Sequence, residues 1–328
     1  MKSLFTLLAA LFTLASAQTQ IQTQTVRLAL DWVPNTNHTG IYVALAKGWY
    51  EEAGVKLQIL PYGSVSPEAL VANGQAEVAV SSTEGVLGSV AAGEPVVSVA
   101  AMLSTNTAAL AVLKNSGVTR PSELDGKIYA AFGSTYEDPT IAAVIRSDGG
   151  TGEFRSALLN VAGFDALLAG RADFVWIFRG WQGVQAEREG IPLTLFNFKD
   201  YGVPDYYTPV LVASPDGIQN NPEALTAFLA ATAKGYTFAA KHPAEAAELL
   251  IEAAPAGSFP DPGLVRQSQK LVSSFYLADG QTWGQQRPEM WTGYPTLLLD
   301  AGVFDDATET VRSAVEGGSL FTNALLSR

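Results

Sequence analysis

Apolar runs rich in Val, Ile and Leu recur along the chain at residues 26–30, 55–60, 77–80, 96–102, 109–113, 127–131, 174–178, 193–196 and 210–213. Helically spaced apolar positions separate many of these runs. The alternation predicts an α/β fold with mainly parallel sheets and crossover helices. The run at 26–30 passes through a short polar turn into a stretch where Ile41, Ala44, Leu45, Gly48 and Trp49 line one helical face. Further helical patterns begin at Pro215-Asp216 and Asn220-Asn221-Pro222, and another runs from His242-Pro243 to Ala253, while APAGSFPDPG at 254–263 reads as a loop.

In open α/β sheets ligands sit beyond the carboxyl ends of strands. The residues that follow each run therefore carry the functional information. The first turn gathers Asp31, Trp32, Asn35, Asn37, His38 and Thr39 just where a helix presents its unpaired amide groups. Taken singly, Asn37 or Thr39 is accounted for as a helix cap and Trp32 as core. Together, a carboxylate, an indole, two carboxamides, an imidazole and a hydroxyl exceed what capping requires.

Other strand ends read Tyr62-Gly63, Ser81-Ser82-Thr83-Glu84, Ser104-Thr105-Asn106, Phe132-Gly133-Ser134 and Arg179-Gly180-Trp181. Gly133 permits close backbone approach and Pro139 suits an early helical position, so a second helix amino end is expected there; a plain cap by Ser134 or Thr135 is the alternative. Trp181 at a strand-to-helix junction can stack on a flat heterocycle or belong to the core. Tyr201, Tyr206 and Tyr207 either wall a pocket or fill the core.

Composition narrows the chemistry. Residues 1–17 combine Lys2, an apolar run and a terminal Ala15-Ser16-Ala17, which predicts a secretory signal cut after Ala17; 18–25 then reads as an unstructured leader. The chain has no cysteine, which removes disulfides, thiol catalysis and thiolate-bound metals. With one histidine in the candidate pocket, no standard zinc site is expected. No GxSxG elbow or Walker loop is present. The formal charge of −12 without basic clusters argues against nucleic acid and anionic membranes.

The segment LDWVPNTNHTGIYVA followed by AKGWYEEAGV resembles the opening motif of the periplasmic binding proteins of thiamin-pyrimidine (formylaminopyrimidine) ABC transporters. That family shares its fold with the eukaryotic thiamin-pyrimidine synthases and with the alkanesulfonate-binding proteins. The resemblance implies a type II periplasmic binding protein of two lobes, each a mainly parallel sheet flanked by helices. Lobe one would comprise 26–108 and 209–328, with tail helices carrying Trp283, Trp291 and Tyr294, and lobe two 109–208. Crossings would fall near 103–113 and 207–213, with the ligand between the lobes.

The resemblance also implies site residues. The relatives carry a Gly-Ser segment followed by glutamate, which matches Gly133, Ser134 and Glu137, and a Trp-Glu-Gly, which matches Trp181, Gln182 and Gly183. Gln182 departs from the family glutamate, and Ser82 stands where relatives often have tyrosine. An amide both donates and accepts, so Gln182 suits a ligand that carries a carbonyl. Asp31, Glu84 or Glu137 would accept from an exocyclic amine, Asn35, Asn37, Ser134 or Gln182 would serve a ring nitrogen or formyl oxygen, and His38 would hydrogen-bond the ligand. Trp32 with Trp181, Tyr206 or Tyr207 would sandwich the ring.

Three functions follow. The first is a periplasmic receptor, a monomer without cofactor, that delivers a thiamin-pyrimidine precursor to a membrane permease. The second is the same role for riboflavin or another flat heterocycle; an alkanesulfonate or nitrate suits the acid-rich pocket poorly. The third is a pyrimidine synthase. The synthases use a lysine that holds pyridoxal phosphate, a histidine four residues on and a cysteine-rich run. Those positions fall here at Ser81, Gly85 and Pro204-Asp205-Tyr206-Tyr207-Thr208.

Overall fold

The computed structural model describes residues 23–158 and 163–326. The expected signal segment and most of the expected leader lie outside these residues. Strands are β1 (Gln24–Ala29), β2 (Val55–Leu60), β3 (Val78–Ser81), β4 (Val97–Ala101), β5 (Ala108–Leu113), β6 (Ile128–Ala131), β7 (Arg155–Leu158), β8 (Phe174–Phe178), β9 (Leu193–Asn197) and β10 (Val210–Ala213). They form two five-stranded sheets, ordered β2-β1-β3-β10-β4 and β7-β6-β8-β5-β9. Helices flank both sheets, giving the two-lobed α/β architecture expected.

One antiparallel strand in each sheet fixes the relation between the lobes. The chain leaves the first sheet after β4 and enters the second as β5, and it returns after β9 as β10. Ala108, which opens β5, pairs with Phe178, which ends β8. Val210, which opens β10, pairs with Ser81 and Ala101 at the ends of β3 and β4. Both sheets therefore turn the carboxyl ends of their parallel strands toward the same gap. An apolar cluster runs through this junction, joining Val71 and Val86 beside the first sheet to Leu110, Tyr129 and Trp176 of the second.

Three local differences from the sequence pattern have physical reasons. β1 begins inside the expected leader, because Gln24 and Thr25 pair with Val55 and Lys56 while their side chains stay exposed, so no apolar signal marks them. β7 has no apolar run, being an edge strand with exposed Arg155, Ser156 and Leu158. The helix expected to continue to Trp49 instead breaks: Thr39–Ala46 ends before Gly48, whose φ of 72° starts a separate turn at Trp49–Glu52.

The Thr39–Ala46 helix is buried over most of its surface, since the Pro222–Lys241 and Pro243–Ala253 helices both pack against it. The crossing is close at Gly40 and Gly235, where the Tyr236 ring lies over Gly40 and stacks at 4.5 Å on Trp283. The tail covers the free edge of β4. Ser98 N donates to Leu320 O at 2.9 Å, Thr322 N donates to Ser98 O at 2.8 Å, and the Gln286 amide donates to Ser98 O at 3.2 Å. An otherwise open sheet edge is thereby satisfied. Tyr294, on the Gly293–Asp300 helix, reaches the second lobe through a 2.9 Å hydrogen bond with Thr140.

A methyl group at position 235 would overlap the Gly40 carbonyl, which is backbone and cannot rotate away. Gly235→Ala is therefore expected to destabilise the protein by about 1–3 kcal/mol, read as a lower urea midpoint with an unchanged slope. An unaltered midpoint would refute the tight crossing.

Candidate functional site

The turn after β1 is built around Asn35. Its Oδ1 accepts from Asn37 N at 2.8 Å and its Nδ2 donates to Val33 O at 3.0 Å, which engages both ends of the carboxamide in the turn. His38 is fully buried. Its Nδ1 accepts from Asn35 N at 3.3 Å, so the ring proton resides on Nε2, which donates to Asp31 Oδ1 at 2.9 Å. The Thr39 hydroxyl, also buried, donates to Gln269 Oε1 at 2.6 Å. Tyr236 and Tyr276 hold the turn from beneath, each donating at 2.6 Å, to Asn37 O and Thr36 O respectively.

These contacts divide the predicted residues. Asn35, His38 and Thr39 are structural, and His38 orients a carboxylate rather than presenting a free nitrogen. Asp31 keeps 34% of its side chain exposed, and Trp32 and Asn37 are half-buried. An oriented carboxylate, an indole face and a carboxamide therefore remain at the carboxyl end of β1.

Glu137 is another anchor. It is 1% exposed and accepts from Tyr129 Oη at 2.6 Å, Phe132 N at 2.8 Å and Ser134 N at 2.6 Å. Burial, followed by the Glu137 charge, drives the Tyr129 hydroxyl far above the usual tyrosine range. The expectation that Glu137 receives a ligand amine gives way to this role, because its carboxylate already collects three donors. Gly133 adopts φ 94°, which exposes the loop at Gly133 and Thr135 and leaves Ser134 half-buried.

Glu84 has the opposite character. It enters the Thr83–Ala91 helix just after Ser82, whose hydroxyl caps the helix by accepting from Gly85 N at 3.1 Å. Glu84 is 7% exposed, and its Oε2 has no hydrogen-bond partner among the described residues. Burial raises the Glu84 carboxyl above the usual glutamate range, although the Tyr206 and Tyr294 hydroxyls lie beside it. Tyr206 is fully buried, stacked on Tyr294 at 3.8 Å, and its own hydroxyl lacks a partner among the described residues. A cavity of about 710 Å³ opens on Glu84 and is shared by Gly133, Ser134 and Tyr136 from the second lobe and by residues of the tail.

The remaining predicted aromatics serve packing. Tyr207 is buried; its hydroxyl accepts from Arg287 N at 3.1 Å and its carbonyl accepts from Thr83 Oγ1 at 2.8 Å. Trp181 lies in the Arg179–Gly183 turn, half-buried, with its ring tilted against Phe259 at 6.5 Å. This turn docks on the first lobe. Ser268 donates to the Gly180 carbonyl and accepts from the Thr36 hydroxyl at 2.6 Å, and Arg188 pairs with Asp261 at 2.9 Å. Gln182 Oε1 accepts from Phe178 N at 3.2 Å, which leaves its amide nitrogen as the available group.

The structure thus brings Glu84, Gly133 and Ser134 together in one cavity and keeps Asp31, Trp32 and Asn37 in a separate turn. Sequence reasoning missed Tyr136, Tyr294, Phe304, Asp305 and Asp306, which complete the surroundings of Glu84. The local signs were Tyr294 in the aromatic tail and Tyr136 beside Ser134 and Glu137, while nothing in the pattern links the tail to Glu84.

The family described as NMT1/THI5 like matches residues 35–246. The formylaminopyrimidine-binding protein of Halalkalibacterium halodurans is 29% identical over 302 residues, covering 88% of this chain and 90% of the relative. A 4-amino-5-hydroxymethyl-2-methylpyrimidine phosphate synthase of Legionella pneumophila is 27% identical over 237 residues, covering 70% of this chain and 74% of the relative. Among solved structures, the alkanesulfonate-binding protein SsuA of Xanthomonas axonopodis pv. citri, bound to MOPS, superposes with a TM-score of 0.66 at 13% identity, covering 92% of this chain and 98% of that one. The last likeness concerns the fold alone.

The unpaired Glu84 carries a stability signature. Its carboxyl is raised above the ordinary value of 4.5, so the folded state holds this proton more tightly than the unfolded chain does. The resulting stabilisation is complete below the ordinary value and is lost as pH rises through the folded one. Glu84→Gln, which cannot ionise, is therefore expected to exceed the wild type in stability at neutral pH. Urea unfolding should show that advantage fade toward about pH 4; an advantage independent of pH would overturn the assignment.

Proposed function

The chain belongs to the NMT1/THI5-like family, whose match spans residues 35–246, and from that premise we propose that it is a solute-binding receptor of an ABC importer. Its solute is a thiamin-pyrimidine precursor such as formylaminopyrimidine. The observation that carries this reading is Asp31, held at 2.9 Å by buried His38 beside the half-buried Trp32. A carboxylate fixed in direction accepts from an exocyclic amine, and an adjacent indole stacks on the ring to which that amine is attached. Asn37 adds a carboxamide, and the free amide nitrogen of Gln182 suits a carbonyl such as the formyl oxygen. The same donor suits the ring carbonyls of riboflavin, which is the second reading.

In this proposal the lobes are 26–108 with 209–328, and 109–208, and hinge motion at the two crossings closes them over the solute. The receptor works as a monomer in the periplasm after removal of residues 1–17, and a membrane permease recognises its closed form. A synthase reading finds little support. The Ser81 hydroxyl is hydrogen-bonded to Glu68, and any side chain at Gly85 would collide with the same carboxylate. The positions where the synthases place lysine and histidine are thus filled by a compact serine, glutamate and glycine cluster.

Thermal unfolding of the chain from Gln18 onward, against formylaminopyrimidine, hydroxymethylpyrimidine, thiamin, riboflavin and taurine, tests the proposal. A ligand at a hundredfold excess over its Kd adds about 2.7 kcal/mol to stability. Stabilisation by a pyrimidine is expected, and stabilisation by taurine alone would overturn the reading. Trp32→Ala and Asp31→Asn should each weaken pyrimidine binding roughly tenfold or more, equivalent to about 1.4 kcal/mol. Unchanged affinity in both would remove the stacking and amine-recognition roles.

A further inference from the structure

The Arg179–Gly183 turn, which follows β8 in the second lobe, is seated on the first lobe by contacts of several kinds. Gly180 is buried, and a methyl group there would overlap Val272 of the Pro262–Val272 helix, so only glycine lets the backbone come this close. Its carbonyl accepts from Ser268, which is fully buried and also meets the Thr36 hydroxyl at 2.6 Å. Trp181 packs with Phe259 against the first-lobe cluster of Tyr42, Leu250, Ala254 and Val265, and among the described residues it is the one member of 109–208 to do so. Just beyond the turn, Arg188 lies over Gly263 and holds Asp261 through two hydrogen bonds of 3.1 Å.

These contacts differ in weight. The Arg188–Asp261 pair is exposed and screened by salt, so alone it decides little. Burial of the indole and the buried Ser268 hydrogen bond are the larger effects, and separating the lobes would undo both. All the partners are protein groups, so the fastening does not depend on a solute. The same helix also reaches the turn that carries Asp31, because Gln269, beside Ser268, accepts from the Thr39 hydroxyl at 2.6 Å. One helix thus ties that turn to the turn that carries Trp181 and Gln182. We propose that this contact is a latch, anchored by Trp181 and Ser268, that makes the closed arrangement the majority form of the solute-free receptor, opening only transiently to exchange solute. Closure of this kind rests on the two-lobed hinge reading above, not on the identity of the solute. The Trp181 ring is committed to the neighbouring lobe rather than offered to a ligand. A closed majority removes the population penalty on affinity, and exchange then waits on opening.

The chain has no cysteine, so Gln75→Cys with Arg171→Cys places one nitroxide label in each lobe without background. Both positions are exposed and precede strands, β3 and β8, at the ends away from the gap. Pulsed electron resonance then reads the distance between the lobes in the chain from Gln18 onward. A single narrow distance is expected without solute and is expected to persist when formylaminopyrimidine is added. Trp181→Ala should add a second, distinct distance, Trp181→Phe should largely retain the first, and Ser268→Ala combined with Arg188→Ala should open the lobes without altering an aromatic. Far-UV circular dichroism equal to that of the parent separates opening from loss of fold, and the double variant carries the test if Trp181→Ala does not fold. A variant that leaves about a tenth of the molecules closed should bind its solute about tenfold more weakly. A broad or two-peaked distribution in the solute-free parent, a shift of its peak on adding solute, or a single unchanged distance in the folded latch variants would each overturn the latch. Failure of the pyrimidine to bind a singly peaked receptor would count against the solute reading alone, since the solute-free distances are measured without it.

Discussion

The structure depends on a direction of travel. Because β5 enters the second sheet from the end of β8, and β10 enters the first from the ends of β3 and β4, the backbone ladders force the carboxyl ends of both sheets toward one gap. The turns that carry Asp31, Glu84, Glu137 and Gln182 lie at such ends. Reversing either strand would turn one set of loops away, whatever their sequence. The hydrogen bonds of two antiparallel strands thus determine where any ligand of the lobes is met.

Within that frame the polar side chains fall into two kinds. His38, Asn35 and Glu137 are buried with their hydrogen-bonding capacity engaged, so they hold turns in shape. Asp31 and Glu84 keep unsatisfied capacity, the first because it is partly exposed and the second despite burial. Position on the chain does not separate these kinds. Glu137 and Glu84 both sit in the first turn of a helix that follows a strand, yet only Glu137 has a loop folded back to donate to it.

The relation to enzymes of the same family is equally local. The backbone at Ser81 to Gly85 is the ordinary strand-to-helix connection of the fold, and it would accept other side chains in principle. Here Glu68 occupies the space, joined to the Ser81 hydroxyl and packed over Gly85. At this connection the side chains, and not the backbone, set what chemistry is possible.

The sequence alone marked most of the strands. Buried strands must be apolar, so β8 and β10 coincide with the runs read at 174–178 and 210–213. Where burial is partial the signal fades, which is why β7 and the first residues of β1 were invisible. The sequence also marked the turn at Asp31 to Thr39 as chemically dense, since six polar or aromatic groups are adjacent there. Only the tertiary structure decided which of those groups remain available. Whether a histidine meets a ligand or a neighbouring aspartate, and whether a glutamate collects three donors or keeps an oxygen without one, depends on atoms contributed by distant segments. Tyr294, Phe304 and Asp305 reach the surroundings of Glu84 from the far end of the chain. Periodicity reports the burial of a residue's own element, and it contains no term for the partners that folding brings to it.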